Sequence, residues 1–215
     1  MKSIQEVIAA KAARITHLLT DVDGVHTSRE AGVSICELLS ENIPYGFTEV
    51  NGDIIRPLIP CDVFGVPEKD GLVYISGKAG NPVFEVYRFY TPDGQGIIDL
   101  ISHRIAVWFI SGRNSPCVRV RADALGAQAA LGITEKHSWL NQQEWFNPGS
   151  TLFVSDNASD APLLKAIREA GGIAIAPADA QPEALAAAEC ITHASGGRGV
   201  IAEIAKVMLS EQKAR

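Results

Sequence analysis

Apolar positions along this chain follow two textures. In residues 1–27 and from Gly94 onward, short apolar runs alternate with segments whose apolar residues recur every three to four positions. Ile4, Val7, Ile8 and Ile15 fall on one helical face, with Ser3 as N-cap and Glu6 three residues on. Residues 15–20 read as the first strand. Past Gly94 the pattern predicts a helix over 96–103, a strand over 105–110 and a helix that starts at Ser115-Pro116 and stops at Leu125-Gly126. It continues with a helix over 134–145, a strand at 151–154 and a helix over 161–170 closed by Gly171-Gly172. A strand at 173–176, a helix over 181–188, a short strand at 190–191, a glycine-rich loop over 194–198 and a helix over 200–212 complete the series. Strand and helix in alternation predict an α/β fold, a Rossmann-like doubly wound parallel sheet covered on both faces.

Between about 28 and 90 the texture changes. Residues 31–39 read as a strand, and Asn51-Gly52, between Phe47 and Ile55, signals a tight hairpin turn. Residues 72–76 and 83–90 form a second alternating pair, and Pro44, Pro57, Pro60 and Pro67 exclude a long helix. The expected organisation is a single domain over 1–215 with a β-rich insertion at 28–90.

Composition narrows the classes. The chain has 215 residues, 47% hydrophobic and 20% charged, as in ordinary globular proteins. A net charge of −6 argues against nucleic acid as a partner. No apolar run approaches a membrane span, and residues 1–14, with Glu6, Lys11 and Arg14, do not read as a signal peptide. Cys36, Cys61, Cys117 and Cys190 are widely spaced, which favours reduced thiols and a cytoplasmic setting over a disulfide framework.

The chemistry sits where strands end. Strand one runs into Asp21-Val22-Asp23-Gly24, two carboxylates one residue apart followed by a residue that permits a sharp turn. Ser111 follows the strand at 105–110, and Asp156 follows the strand at 151–154. Lys136 and Asp160 flank helix starts beside the same edge. Parallel α/β sheets bind ligands at the carboxyl ends of their strands. Each residue alone has a structural reading: an acidic turn for Asp21 and Asp23, a helix-entry serine, a solvated lysine, a first-turn acid at Asp160. Three strand ends that all carry polar groups favour a site.

These residues resemble the motifs of the haloacid-dehalogenase-like phosphohydrolases. Within that superfamily they are most similar to the 3-deoxy-manno-octulosonate 8-phosphate phosphatase family. The resemblance rests on residues 15–27, on Asp93-Gly94-Gln95-Gly96-Ile97 and on Ile110-Ser111-Gly112-Arg113-Asn114-Ser115. Arg121-Ala122 with Leu125-Gly126, Gly132 four before Lys136, and Ser195-Gly196-Gly197-Arg198-Gly199-Val200 extend it. It covers roughly 1–27 and 83–212 and implies a phosphomonoester hydrolase acting on a small sugar-acid phosphate through an aspartyl-phosphate. Asp21 would then be the nucleophile, Asp23 the general acid and base, and Ser111 and Lys136 the ligands of the phosphoryl oxygens. Mg²⁺ would be held by Asp21, the main-chain carbonyl of Asp23, and Asp156. Thr27, Gly112, Arg113 and Arg198 would contact substrate, with Asn157 and Asp160 in support. The family also implies a homo-oligomer, a tetramer built through the 72–90 hairpin.

The chain departs from the family pattern at His26, where an apolar residue is usual, and at Ser155-Asp156-Asn157, where Gly-Asp-Asp is usual. Its insertion is also longer. His26, His103, His137 and His193 lack metal spacing and read as structural, as do Trp108, Trp139 and Trp145. Alternatives are a phosphatase for another sugar or polyol phosphate, a catalytically weak oligomerisation module, and a receiver domain, whose acceptor Asp follows a later strand.

Overall fold

The structure, a computed structural model, describes residues 2–27, 48–50, 53–55, 63–68, 71–77 and 84–213. The strand expected at 31–39, and Cys36 and Cys61, lie outside the described residues. In chain order the elements are α1 (Ile4–Lys11), β1 (His17–Thr20), β2 (Thr48–Val50), β3 (Asp53–Ile55), β4 (Val63–Glu68), β5 (Gly71–Gly77) and β6 (Phe84–Tyr90). They continue with α2 (Thr91–Ser102), β7 (Ala106–Ser111), α3 (Pro116–Leu125), β8 (Gln128–Leu131), α4 (Lys136–Leu140) and β9 (Thr151–Val154). Last come α5 (Ala161–Glu169), β10 (Ile173–Ala176), α6 (Pro182–Ala187), β11 (Cys190–Ile191) and α7 (Val200–Lys213).

Six strands make one sheet in the order β11-β10-β9-β1-β7-β8, with every pairing parallel. The chain builds outward from β1 through β7 to β8, then crosses back to β9 and builds the other way. The order therefore reverses between β1 and β9, and Asp21 and Asp156 follow those two strands. A reversal of this kind opens a crevice at the carboxyl edge of the sheet.

Both faces of the sheet are covered, so its strands are apolar on both sides and alternate residues serve different cores. Leu18, Val107, Phe109, Leu152, Val154, Ile173 and Ile175 pack with α1, α2, α3 and α7. Their neighbours Leu19, Ile110, Phe153, Ala174 and Ala176 pack with α4, α5 and α6. The capping box at Ser3 and Glu6 is present, as is the Ser115 N-cap of α3. Among the described residues no helix is long and apolar enough to cross a membrane.

The described residues of the insertion form strands, as expected. β2 and β3 pair antiparallel across residues 51–52, with Val50 opposite Asp53. β5 and β6 form the second hairpin, to which β4 adds a third strand. This small sheet lies against α3. Tyr87 and Phe89 of β6 are buried in the chain's own core, and the Arg121 guanidinium stands 5.6 Å from the Phe89 ring centroid.

Three elements differ from expectation, each for a packing reason. Helix α2 starts at Thr91-Pro92, ahead of residue 96. Gly94 and Gly96 disguise that start, and both are there for space. A Cβ at 94 would overlap the Arg121 guanidinium, and one at 96 would press on Ala205 and the Ile201 carbonyl of α7. Strand β8 has the weak strand sequence Gln-Ala-Ala-Leu and owes its conformation to pairing with β7. Helix α4 stops at Leu140 rather than continuing to 145. The chain turns there so that Trp145 stacks on Trp108, with centroids 4.6 Å apart, and meets Trp139 edge-on.

One buried acid links α2 to the start of α7. Asp93 is 2% exposed, and its Oδ1 accepts from the Ala202 amide at 2.8 Å. Burial pushes its pKa up to about 6, against the pull of main-chain amides and Arg121. A raised carboxyl pKa in the folded state means that this group's stabilisation is complete below its unfolded value and is lost as pH rises through about 6. Asp93→Asn should therefore match the parent near pH 4 and exceed it at pH 8, by about 3 kcal/mol at most. Denaturant melts across that range check this.

Candidate active site

The site grows from the turn that ends β1. Asp21 N donates to Val154 O at 2.9 Å, which ties the strand end to β9. The amides of Val25, His26 and Thr27 all donate to Val22 O, closing the chain into a tight loop. Gly24, at φ 78°, supplies the left-handed residue that this loop needs. The loop is also crowded. A Cβ at Gly24 would overlap the Asp156 carboxylate, and a Cβ at Gly196 would overlap the Gly24 carbonyl. Gly197 N donates to Val25 O at 2.8 Å. The glycine-rich loop over 195–199 is thus laid directly on the loop that carries Asp23.

Asp21, Lys136 and Asp160 form one buried group, 6%, 7% and 4% exposed. Lys136 Nζ lies 2.9 Å from Asp21 Oδ1 and 2.6 Å from Asp160 Oδ2. Asp21 Oδ1 also accepts from the Val22 amide at 2.8 Å. Burial raises the Asp21 pKa far above the ordinary carboxylate range; Lys136 opposes the rise and Asp160 adds to it. For Lys136, burial favours the neutral amine, but Asp21 and Asp160 outweigh it and the pKa ends raised. The lysine is therefore an ammonium shared by two carboxylates.

The other expected residues sort by position. Asp156 is buried against Gly24, on the far side of the reversal from β1. Asp23 is part-exposed, and Arg113 Nε lies 3.5 Å from its Oδ2. Both side chains are solvent-exposed, so this pair contributes little to stability, but it sets a cation beside an acid at the mouth. Ser111 is buried at the end of β7 and its Oγ accepts from Arg113 N at 3.1 Å. Thr27 is buried and bridges to Asp23. Gly112 is exposed beside Ser111, and Arg198 is exposed on the loop over 195–199. Asn157 acts as a cap. Its Oδ1 accepts from Ser159 N at 3.0 Å and closes the turn that carries Asp160.

Two contributors are not among the expected site residues. Ser155 Oγ donates to Asp160 Oδ2 at 2.6 Å and stands 3.4 Å from Asp21 Oδ2. Its signal is a hydroxyl at a strand end, immediately before one acid and five residues before another. Thr20 Oγ1 donates to Asp21 O at 2.7 Å and lies 3.2 Å from His26 Nε2. The hydroxyl's one proton is used on Asp21, so His26 donates to it from Nε2. His26 is fully buried, stacks on Phe109 with centroids 4.4 Å apart, and has its pKa pushed down to about 3, chiefly by burial and further by Arg121. It is neutral and structural, as its lack of metal spacing predicts.

Among the described residues no three His, Cys, Asp or Glu side chains converge as metal ligands. The donors expected for a metal are of another composition: the carboxylates of Asp21 and Asp156 and the main-chain carbonyl of Asp23. All three donors are oxygens, which suits a hard divalent cation that keeps part of its water shell. The buried surroundings hold three acidic side chains to one lysine, which fits the same cation.

No family model matches the chain. The 3-deoxy-D-manno-octulosonate 8-phosphate phosphatase of Salmonella typhimurium is 32% identical over 187 residues, covering 85% of this chain and 93% of that protein. The solved structure of the Yersinia pestis phosphatase of the same name has a TM-score of 0.63 at 25% identity, covering 97% of this chain and 88% of that one. The corresponding Moraxella catarrhalis structure, in complex with a magnesium ion, a phosphate ion and a KDO molecule, has a TM-score of 0.64 at 19% identity, covering 96% and 92%. The fold is that of haloacid-dehalogenase-like hydrolases, and by its relatives the chain is a phosphatase. It belongs to the 3-deoxy-D-manno-octulosonate 8-phosphate phosphatase family.

Gly24 offers a direct check on the geometry. Gly24→Ala places a side chain at positive φ, at about 1–2 kcal/mol, and drives it into the Asp156 carboxylate. A shift of that carboxylate by about 1 Å should lower kcat about a hundredfold, with the fold retained by circular dichroism.

Proposed function

We propose that this phosphatase hydrolyses 3-deoxy-D-manno-octulosonate 8-phosphate, with Asp21 attacking phosphorus to form an aspartyl-phosphate. The observation that carries the reading is the Lys136 ammonium shared between Asp21 and Asp160 at the crevice edge. A carboxylate meets a phosphate dianion across like charge. Lys136, 2.9 Å from the Asp21 carboxylate, offsets that charge where the bond forms. Ser111 and Lys136 bind the non-bridging phosphoryl oxygens. Of Asp21, Asp23, Asp156 and Asp160, only Asp23 is part-exposed, facing the mouth where a leaving alkoxide departs. It gives that oxygen a proton and later takes one from the attacking water. Arg113, beside Asp23, with Gly112 and Arg198 forms the rim against the sugar acid, the buried Thr27 backs Asp23, and Asp160 keeps Lys136 in place.

Asp21, the Asp23 carbonyl and Asp156 are the residues that would hold Mg²⁺, and the likeness to the magnesium-containing Moraxella catarrhalis structure supports that ion. When bound, it supplies positive charge that offsets repulsion between the nucleophile and the phosphoryl group. The remaining work is positioning by the protein's own groups.

Asp21→Asn should lower kcat more than about a thousandfold with the fold retained by circular dichroism, and exhaustive chelation should abolish turnover until Mg²⁺ is restored. A phosphate-release assay on 3-deoxy-D-manno-octulosonate 8-phosphate beside other sugar phosphates checks both points and the substrate. Turnover that survives Asp21→Asn removes this mechanism.

The chain also forms, in this reading, a homo-oligomer through the insertion, within one domain spanning 1–215. Tyr87 and Phe89 are spent on the chain's own core, so contact with a second copy falls to other residues of the insertion. Sedimentation should give a tetramer at micromolar concentration, and a monomer would exclude it.

A further inference from the structure

Ser155 stands at the end of β9, buried, between the attacking carboxylate and the acid that anchors Lys136. Its hydroxyl has one proton to give. Asp160 Oδ2 lies at 2.6 Å and Asp21 Oδ2 at 3.4 Å, so the proton goes to Asp160. The same hydroxyl oxygen accepts from the Asn157 amide at 3.2 Å, which fixes its direction. Asp160 Oδ2 therefore receives two donors, Ser155 Oγ and Lys136 Nζ, both at 2.6 Å. Those donors compete for one oxygen's negative charge. With the hydroxyl in place, Lys136 carries only part of that charge and remains 2.9 Å from Asp21 Oδ1. Without it, the ammonium alone answers Asp160 and is drawn away from Asp21.

We propose that Ser155 is a positioning residue: by donating to Asp160, its hydroxyl keeps the Lys136 ammonium available to Asp21 and to the phosphoryl group that Asp21 receives. This rests on the assignment of Asp21 as nucleophile. The contribution is largest as the Asp21–phosphorus bond forms, when Asp21 gives up its negative charge and Lys136 must follow the phosphoryl oxygens. The effect therefore belongs in kcat rather than KM.

Ser155→Ala should lower kcat about tenfold, as expected for one hydrogen bond to a charged group, with KM within about twofold. Ser155→Gly, which removes the hydroxyl without adding bulk, should do the same. Mg²⁺ affinity, measured by calorimetry on the unliganded protein, should stay within about twofold of the parent, because the hydroxyl acts through Lys136 and Asp160. In an Asp160→Asn background the Ser155→Ala change should cost little more, since the two residues act as one unit. Parent-like kcat in both variants, a rise in KM alone, weakened Mg²⁺ binding, or an undiminished tenfold loss in the Asp160→Asn background would each overturn the proposal. So would failure of both Ser155 variants to fold, which assigns the residue to packing. An inactive Asp21→Asn beside parent-like Ser155 variants discards this inference alone, whereas an active Asp21→Asn discards the nucleophile assignment.

Discussion

One buried ammonium orders this site. Lys136 reaches the edge of the sheet from the start of α4 and meets Asp21 from β1 and Asp160 from the turn after β9. Neither carboxylate is stable as an isolated buried charge, and nor is the lysine. The three are tolerable only together, and only at these distances. The balance stays negative, with two acids to one base; burial, with Asp160 adding to it, raises the pKa of Asp21 against the pull of Lys136. A site with such an excess accommodates a divalent cation and a phosphoryl group better than either arriving alone. The same imbalance distinguishes it from a structural ion pair, where charges are matched and the geometry has no further partner to receive.

The sheet makes that meeting possible. Lys136, Asp21 and Asp160 are far apart in sequence, and the reversal between β1 and β9 brings the last two to neighbouring strand ends. The crevice is narrow because backbone sits on backbone: Gly24 lies under the Asp156 carboxylate, and Gly196 lies against the Gly24 carbonyl. Side chains at either position would hold the loops apart. Asp93, capping the amides at the start of α7, holds the far end of the glycine-rich loop from the opposite side.

Much of this was legible in the chain because the signals are local. Strand one and its two acids, Ser115-Pro116 opening α3, Leu125-Gly126 closing it, and Asp156 after an apolar run are statements about a few adjacent residues. The failures are cases where the deciding partner is distant. Gly94 and Gly96 look like helix breakers until Arg121 and α7 are seen filling the space a Cβ would need. Gln128 to Leu131 has no strand character without β7 beside it. Trp139 and Trp145 suggest a longer α4 until Trp108 is seen to require a turn. At the site, the acids announced themselves by spacing, but the hydroxyls of Thr20 and Ser155 did not, because a serine or threonine beside an acid is ordinary in any loop. Their meaning lies in which oxygen they reach, and that is a property of the packed chain.

In the proposed reaction the core motifs meet only a phosphoryl group and are blind to what it is attached to, so discrimination has to be built outside the sheet. The insertion is the one large segment outside it, and Tyr87 and Phe89 of its described part share a core with Val22 and Val25 of the loop that follows Asp21. Phe89 of β6 lies beneath Arg121, whose charge acts on His26; His26 donates to Thr20, and the Thr20 hydroxyl holds the Asp21 carbonyl. Apolar packing alone would set the spacing along that path without fixing its direction. A neutral histidine with one donor aimed at one hydroxyl fixes it, and burial keeps the histidine neutral across the whole range in which a phosphatase works. The main chain that carries Asp21 is therefore tied through Thr20 and His26 to the buried ring of Phe109, in the same core that receives Tyr87 and Phe89 of the insertion.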